Sequence, residues 1–302
     1  MERNVGTCFG FEVHSSLSFN YLRGGSGQTL EVSAPTDLQD PADGELVVKW
    51  TPTPEVPLEG RLYRAGGGYR LWMEGTGWFE IDPEAGSIVL PDSADVVRRE
   101  ERLWSIPAML CFLARGDLPL HAAAVEVDGG AVVIGAPRAF GKTTLAAAFL
   151  SAGYRLLSED VTCMRPGSVP LVIPGPAMLR LRPDVAERLE IRNATPIGSP
   201  DDRVHFAVDP DVRGDCRPVP LRAIFLLRAA DTGLRVETVG SSEAVRDLWP
   251  LSSRFPSKRG LARCFEDIVD VVRSVPVWNL YRPLRIEDLP RTVALIADTV
   301  QA

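Results

Sequence analysis

The feature that most constrains this chain is the segment IGAPRAFGKTT, which runs from position 134 to position 144. An apolar run over 131–136 predicts a buried strand, and the residues over 143–152 predict a helix. A glycine-containing loop that joins a buried strand to Gly-Lys-Thr-Thr at a helix start is typical of a phosphate-binding P-loop. The segment therefore predicts an α/β fold with a nucleotide site at one edge of its sheet.

Each residue type in this loop has a chemical role in binding polyphosphate. Backbone N–H groups that converge at a helix N-terminus form an anion site. Gly141 allows the backbone to approach a phosphate, Lys142 supplies a compact cation, and Thr143 places its hydroxyl on Mg²⁺. We therefore expect ATP and Mg²⁺ as cofactors, with the following nucleotide-binding residues: Gly135, Ala136, Arg138, Phe140, Gly141, Lys142, Thr143 and Thr144.

The loop departs from the usual P-loop spacing by one residue. The pattern G-x-x-x-x-G-K-[ST] requires its first glycine at position 136, where this chain has Ala136, and Gly135 lies one residue too early. Pro137 also removes a backbone N–H donor. The alternative is an ordinary strand–turn–helix with a chance GKTT, but the strand and helix patterns on both sides favour the phosphate site.

Two adjacent carboxylates, Glu159 and Asp160, follow the strand predicted over 154–158. Strand ends on the P-loop side of such sheets supply the Mg²⁺ ligand and the base in phosphoryl transfer. One acid would hold the metal while the other takes a proton from an attacking hydroxyl. The sequence leaves open which acid is the base; we expect Thr143 and Asp160 at the metal. A solvated acidic turn is the alternative.

Three further side chains are candidates for the same site. His121 begins the strand before the P-loop strand, where a neutral imidazole would tune the base or touch a phosphate. The catalytic set is then His121, Lys142, Glu159 and Asp160. Arg180, on a predicted edge strand, and Arg203, in an acidic turn, are expected substrate contacts because arginine suits bidentate phosphate binding. A structural histidine and surface arginines are the alternatives.

The region from position 118 to position 163 resembles the catalytic domain of the HPr serine kinase/phosphorylase superfamily, and it looks closer to the shorter HPr-kinase-like proteins of peptide-modification clusters. LHAAAV over 120–125 resembles the family's histidine-bearing strand. AVVIGAPRAFGKTTLAAAFLSAGYRLLSEDVTC over 131–163 resembles its strand, P-loop, helix and acidic pair. The resemblance implies a P-loop kinase domain of the HPr-kinase/PEP-carboxykinase-like type with a mixed sheet. It carries family roles onto His121, Lys142, Thr143, Glu159 and Asp160.

The chain divides into two parts that differ in composition and in their pattern of apolar residues. Residues 1–93 contain short apolar runs between glycine and proline breakers, which predicts a β-rich N-terminal domain. Residues 94–302 contain the P-loop and are predicted as the catalytic domain. A helix predicted over 94–115, with a kink or a late start at Pro107, joins the two parts.

Charge and composition exclude several classes of partner. The net charge is −7, with 40 acids against 33 bases, which argues against a broad basic surface for nucleic acid. The longest apolar run, over 106–114, is far shorter than the roughly 20 residues of a membrane helix. The five cysteines are scattered and form no C-x-x-C pair, which favours free thiols in a reducing compartment. We therefore expect a cytoplasmic protein without nucleic-acid or membrane partners.

Together these features predict an ATP-dependent kinase that transfers a γ-phosphoryl group to a hydroxyl. The acceptor would be a serine or threonine of a peptide or protein, or a small hydroxylated metabolite. Two alternatives are a nucleotide-dependent switch or ATPase without an acceptor, and a degenerate binding module that is not an enzyme. The family resemblance also makes a homo-oligomer an expectation.

Overall fold

The computed structural model of this chain describes residues 3–34, 44–52, 58–91, 93, 95–137, 139–253 and 258–301, with only the backbone of Lys258. Within these residues the chain forms three sheets and eight α-helices. The predicted mixed α/β class is confirmed. The division at residues 93 and 94, and the assignment to a P-loop kinase domain, remain predictions.

The first sheet consists of strands that the short apolar runs predict. They are β1 (Arg3–Cys8), β2 (Phe11–Ser15), β3 (Gln28–Ser33), β4 (Glu45–Trp50), β5 (Gly60–Ala65), β6 (Gly68–Met73), β7 (Gly77–Asp82) and β8 (Ser87–Val89). Their order is β1-β2-β3-β8-β7-β6-β5-β4, with β3 parallel to both of its neighbours. Alternate side chains of the inner strands are buried, as expected for a sheet with one face on a core.

Two helices, α1 (Val96–Leu103) and α2 (Ile106–Arg115), follow this sheet. The helix predicted over 94–115 is therefore interrupted, as Pro107 indicated. Pro107 lies in the first turn of α2, where its missing N–H leaves no intrahelical hydrogen bond unmade. Buried side chains of both helices, such as Leu103 and Phe112, share one core with the first sheet.

The rest of the chain alternates strands and helices. The strands are β9 (Leu118–Val127), β10 (Gly130–Gly135), β11 (Arg155–Ser158), β12 (Val161–Arg165), β13 (Leu171–Ile173), β14 (Met178–Leu181), β15 (Ala194–Gly198), β16 (Val204–Val208), β17 (Val219–Ala229), β18 (Arg235–Thr238) and β19 (Val277–Arg282). The helices are α3 (Lys142–Ser151), α4 (Pro183–Arg188), α5 (Pro210–Arg213), α6 (Ser241–Leu248), α7 (Lys258–Ser274) and α8 (Leu289–Gln301). Among the described residues no helix is long and apolar enough to cross a membrane.

The second sheet positions the P-loop segment. Strands β10, β17 and β19 are parallel, and β9 pairs antiparallel with β10, β11 and β12. Alternate residues of β9 point to opposite faces, so that Leu120 and Ala122 pack on one side and Ala123 and Val125 on the other. The first face is covered by α6 and α7 and the second by α3 and α8. The sheet edge where β10 ends carries the loop.

A third sheet, in the order β14-β16-β15, lies beside the second and contains the buried His205. The Nδ1 atom of His205 is 3.3 Å from the hydroxyl of Tyr21, which belongs to the N-terminal part of the chain. Burial lowers the pKa of His205 from 6.5 to about 4. His205 is therefore a neutral structural histidine.

This histidine makes the fold sensitive to acid. The folded chain binds fewer protons at His205 than the unfolded chain between pH 6.5 and about 4, so stability falls as the pH drops through that range. We expect about 3 kcal/mol of unfolding free energy to be lost through this group. Urea unfolding at pH 7 and pH 4.5 should show a smaller loss in His205→Gln than in the natural protein; equal losses would contradict this assignment.

Candidate functional site

The loop between β10 and α3 has the backbone of an anion-binding nest. Ala139 and Gly141, which flank Phe140, both have positive φ, at 65° and 77°. Residues in this conformation, alternating with ordinary ones, turn successive N–H groups toward one concave side. The N-terminus of α3, which begins at Lys142, adds N–H groups that make no hydrogen bond within the helix, together with the positive end of the helix dipole. The local sequence thus folds into a cradle for a negatively charged group.

Gly141 is required there for two reasons that can be separated by experiment. Its positive φ disfavours a side chain, and an added Cβ would lie 2.5 Å from Nη2 of Arg282. Gly153 has a φ of 92°, but a Cβ added there would meet nothing within 4 Å, so it is a matched control. We expect Gly153→Ala to cost about 1 kcal/mol and Gly141→Ala about 1–3 kcal/mol more, measured by urea unfolding. Equal costs would contradict the contact with Arg282.

Lys142 lies at the bottom of this loop and is almost fully buried. Its Nζ atom donates to the carbonyl of Ala136 at 3.0 Å and to Nε2 of His121 at 2.9 Å. An ammonium group can only donate, so Nε2 of His121 must be an acceptor and the ring proton lies on Nδ1. The Nδ1 atom lies 3.2 Å from Oδ1 of Asp160. The predicted residues Lys142, His121 and Asp160 therefore lie in one row of polar contacts.

The two carboxylates at the end of β11 have different surroundings. Glu159 is buried, and its oxygens accept from the Thr143 hydroxyl at 2.7 Å and from Nε of Arg180 at 2.9 Å. Burial raises the pKa of Glu159. The side chain of Asp160 is 35% exposed. Burial of its carboxyl would raise the pKa of Asp160, but the combined charges of Arg180, His121 and Lys142 outweigh this effect and lower it.

Arg180 is the centre of a cluster of opposite charges. It lies on β14, the edge strand predicted from Leu-Arg-Leu-Arg, and its Nη2 atom is 3.0 Å from Oδ2 of Asp160. Nε faces Glu159, and Nη1 faces Glu101 of α1. These three carboxylates raise the pKa of Arg180 well above its usual value despite burial. Arg180 thus lies beside the acidic pair, and its predicted contact with substrate stays a prediction.

Arg282, at the end of β19, is a member of the site that the sequence did not identify. Its side chain is buried, and Nη2 donates to the carbonyls of Phe140 and Gly141, both at 3.4 Å. The buried Nε atom has no hydrogen-bond partner among the residues that the structure describes. A signal was available, because Arg282 ends the apolar segment VWNLYR, and the carboxyl ends of β10, β17 and β19 meet at one edge.

The other predicted residues have varied positions. Gly135 and Ala136 are buried where β10 ends, and Phe140 and Thr144 are half-buried at the loop and the first turn of α3. Arg203 is exposed just before β16, and its predicted contact with substrate stays a prediction. Arg138 lies outside the described residues. Within the described part of the chain, no three His, Cys, Asp or Glu side chains are grouped as a metal site.

Comparison with known proteins finds a distant likeness to a solved structure. No protein-family model matches the chain, and no curated protein matches it. Among solved structures the chain is similar to the HPr(Ser) kinase/phosphatase from Coxiella burnetii, with 12% sequence identity and a TM-score of 0.33. The match covers 61% of this chain and 97% of that chain. With so low a TM-score, the contacts within this chain must carry any conclusion about its chemistry.

Proposed function

We propose that this chain is an ATP-dependent kinase that transfers the γ-phosphoryl group to a hydroxyl. The observation that carries the proposal is the row Lys142–His121–Asp160 at the N-terminus of α3, with Thr143 and Glu159 beside it. This row joins a cation suited to phosphate and a carboxylate suited to a proton. Phosphoryl transfer to a hydroxyl needs both of these groups within one site.

The loop residues fit a polyphosphate. The positive-φ residues Ala139 and Gly141 direct N–H groups inward, and Lys142 supplies a charge beneath them. Burial lowers the pKa of Arg282, and the charge of Asp288 offsets this effect only in part. A phosphate in the loop would supply the further negative charge that this buried guanidinium favours. Arg282 would then keep its hydrogen bonds to the carbonyls of Phe140 and Gly141, while its positive charge attracts the phosphate.

Thr143 and Glu159 fit a Mg²⁺ ion. Magnesium is bound through oxygen atoms, usually one or two from the protein together with substrate phosphates, so a larger protein cluster is not required. The hydroxyl of Thr143 and the carboxylate of Glu159 are already 2.7 Å apart at the helix start. The ion would neutralise charge that develops on the phosphates. This geometry favours Glu159, in place of the expected Asp160, as the carboxylate nearest the metal.

Asp160 is then the proton acceptor. The oxygens of both acids face neighbouring side chains, but Glu159 is buried, whereas the side chain of Asp160 is 35% exposed. Access of the acceptor hydroxyl to the carboxylate takes precedence over basicity. The acceptor oxygen forms a bond to the γ-phosphorus as the bond from that phosphorus to the β–γ bridging oxygen breaks. ADP leaves with that electron pair, and the hydroxyl proton passes to Asp160. His121 holds Oδ1 of Asp160 through its Nδ1 proton.

The movement of Lys142 links nucleotide binding to this step. Its Nζ atom donates a hydrogen bond to Nε2 of His121 in the absence of phosphate. A phosphate in the loop competes for the same ammonium group, since a charged acceptor is stronger than a neutral nitrogen. Once that contact is lost, the charge of Lys142 lies on the phosphate that the acceptor hydroxyl attacks, while that hydroxyl gives its proton to Asp160. Nucleotide would therefore precede the acceptor.

A phosphate-transfer screen tests the proposal. The chain is incubated with Mg²⁺ and ATP labelled in the γ-phosphate, together with serine- and threonine-containing peptides and hydroxylated metabolites. We expect label to move to a hydroxyl and to require Mg²⁺. Hydrolysis at an undiminished rate without any acceptor would favour a switch or ATPase, and no binding of Mg·ATP in calorimetry would favour a module that is not an enzyme.

A further inference from the structure

Arg180 faces a third carboxylate that lies outside the P-loop region. Its Nε and Nη2 atoms pair with Glu159 and Asp160 at 2.9 Å and 3.0 Å. Its Nη1 atom pairs with Glu101, which belongs to α1 and is only 5% exposed. The three nitrogens of one rigid, planar group are therefore directed at three different carboxylates. Two of these belong to the proposed site, and the third comes from a helix that packs with the first sheet.

The helix that carries Glu101 is itself fixed by its neighbour, Glu100. This buried carboxylate accepts from the backbone N–H of Asn20 at 2.7 Å, the backbone N–H of Tyr21 at 2.9 Å and Nε1 of Trp104 at 3.3 Å. The carbonyl of Tyr21 in turn accepts from the N–H of Ala177 at 2.8 Å, just before β14. The segment near Tyr21, α1 and β14 are thus joined around Arg180.

We propose that Glu101 is a positioning residue, which acts through Arg180 to orient Glu159 and Asp160 for phosphoryl transfer. The inference rests on the proposed function. Without Glu101, the guanidinium keeps only the two acids of the site, and it can rotate with them. Glu101 pairs with the third nitrogen, Nη1, and fixes the orientation of the guanidinium. Glu159 and Asp160 then each pair with a group whose orientation is fixed. The N-terminal part of the chain thereby completes the catalytic end of the second sheet.

A double-mutant cycle tests whether Glu101 acts through Arg180. Glu101→Gln keeps the shape and removes the charge, Arg180→Gln removes the partner, and the double variant removes both. We expect Glu101→Gln to lower kcat by about 10- to 100-fold while KM for Mg·ATP changes by less than about twofold. In the Arg180→Gln background the same change should have no further effect, because the residues act as a unit.

Glu187→Gln is the matched control, since it removes a carboxylate from the exposed end of α4. It should leave kcat and KM unchanged. If Glu101→Gln unfolds, Glu101→Asp replaces it in the cycle and is expected to give an intermediate kcat. Additive losses in the double variant, or an unchanged kcat in Glu101→Gln, would overturn the inference.

A signal independent of turnover separates this inference from the proposed function. The Nε–H resonance of Arg180, observed in protein labelled with ¹⁵N-arginine, reports whether the guanidinium is held. We expect a sharp, shifted resonance that broadens in Glu101→Gln but not in Glu187→Gln. If the natural protein transfers no phosphate, the proposed function fails. The positioning of Arg180 by Glu101 is still decided by this resonance, and an identical resonance in Glu101→Gln overturns it.

Discussion

Lys142→Ala is expected to lower phosphate transfer by about 10²- to 10³-fold, the usual cost of losing one preorganised group at the transition state. Lys142 is the buried cation of the loop, and its Nζ atom lies within 3.0 Å of the Ala136 carbonyl and the His121 ring. Removal of this charge leaves the γ-phosphate with the backbone N–H groups, the Mg²⁺ ion and the more distant Arg282. Initial rates with labelled ATP, compared at saturating Mg²⁺, measure the effect.

Two controls make this result interpretable. Lys49→Ala removes a half-exposed lysine on β4 and should transfer phosphate at the natural rate. Lys142→Met retains the apolar stem that fills the buried site, so it separates the loss of charge from the loss of packing. We expect Lys142→Met to be as inactive as Lys142→Ala but more stable in urea. Transfer at the natural rate by either Lys142 variant would contradict the mechanism.

Asp160→Asn is expected to lower kcat by about 10²- to 10⁴-fold, the range associated with loss of a general base. The amide keeps the size of the side chain but cannot take the acceptor proton. Mg·ATP affinity should change little, because the nest, Lys142 and Thr143 remain in place. Single-turnover transfer gives the rate of the chemical step, and calorimetry gives the affinity for Mg·ATP.

The companion variant Glu159→Gln distinguishes the two acids. If Glu159 is the carboxylate nearest the metal, its variant should require a higher Mg²⁺ concentration for half-maximal transfer, whereas Asp160→Asn should not. Asp184→Asn, on the exposed start of α4, is the matched surface control. The opposite assignment would give the opposite pattern. A natural kcat in Asp160→Asn would remove Asp160 from the role of base.

The parts of the site that the sequence predicts are those specified by local pattern. The apolar strand, the loop and the helix around Lys142 are adjacent in the chain, so the residue types alone predict this strand–loop–helix unit. Glu159 and Asp160 directly follow the next strand, and His121 lies on the preceding one. Strands that neighbour one another in sequence are usually neighbours in the sheet. The pairing of β9 with β10 follows this rule, whereas the pairing of His121 with Val161 joins β9 to β12, three strands further along the chain.

The parts that it does not predict depend on distant contacts. Glu101 reaches Arg180 only because α1 packs with the first sheet, while Arg180 lies on a separate three-stranded sheet. Arg282 reaches the loop because β17 lies between β10 and β19. Neither contact has a fixed spacing in the chain. The individual acid roles were also open, since they follow from which partner, Thr143 or His121, each carboxylate meets.

The most direct test is a crystal structure of the natural protein with Mg²⁺ and a non-hydrolysable ATP analogue. The central claim predicts that the β- and γ-phosphates lie against the N–H groups of residues 139–144. It also predicts that Nζ of Lys142 moves from Nε2 of His121 to a phosphate oxygen, with the γ-phosphate facing Asp160. Phosphates bound elsewhere, or a Lys142 that remains on His121 while nucleotide is present, would contradict it.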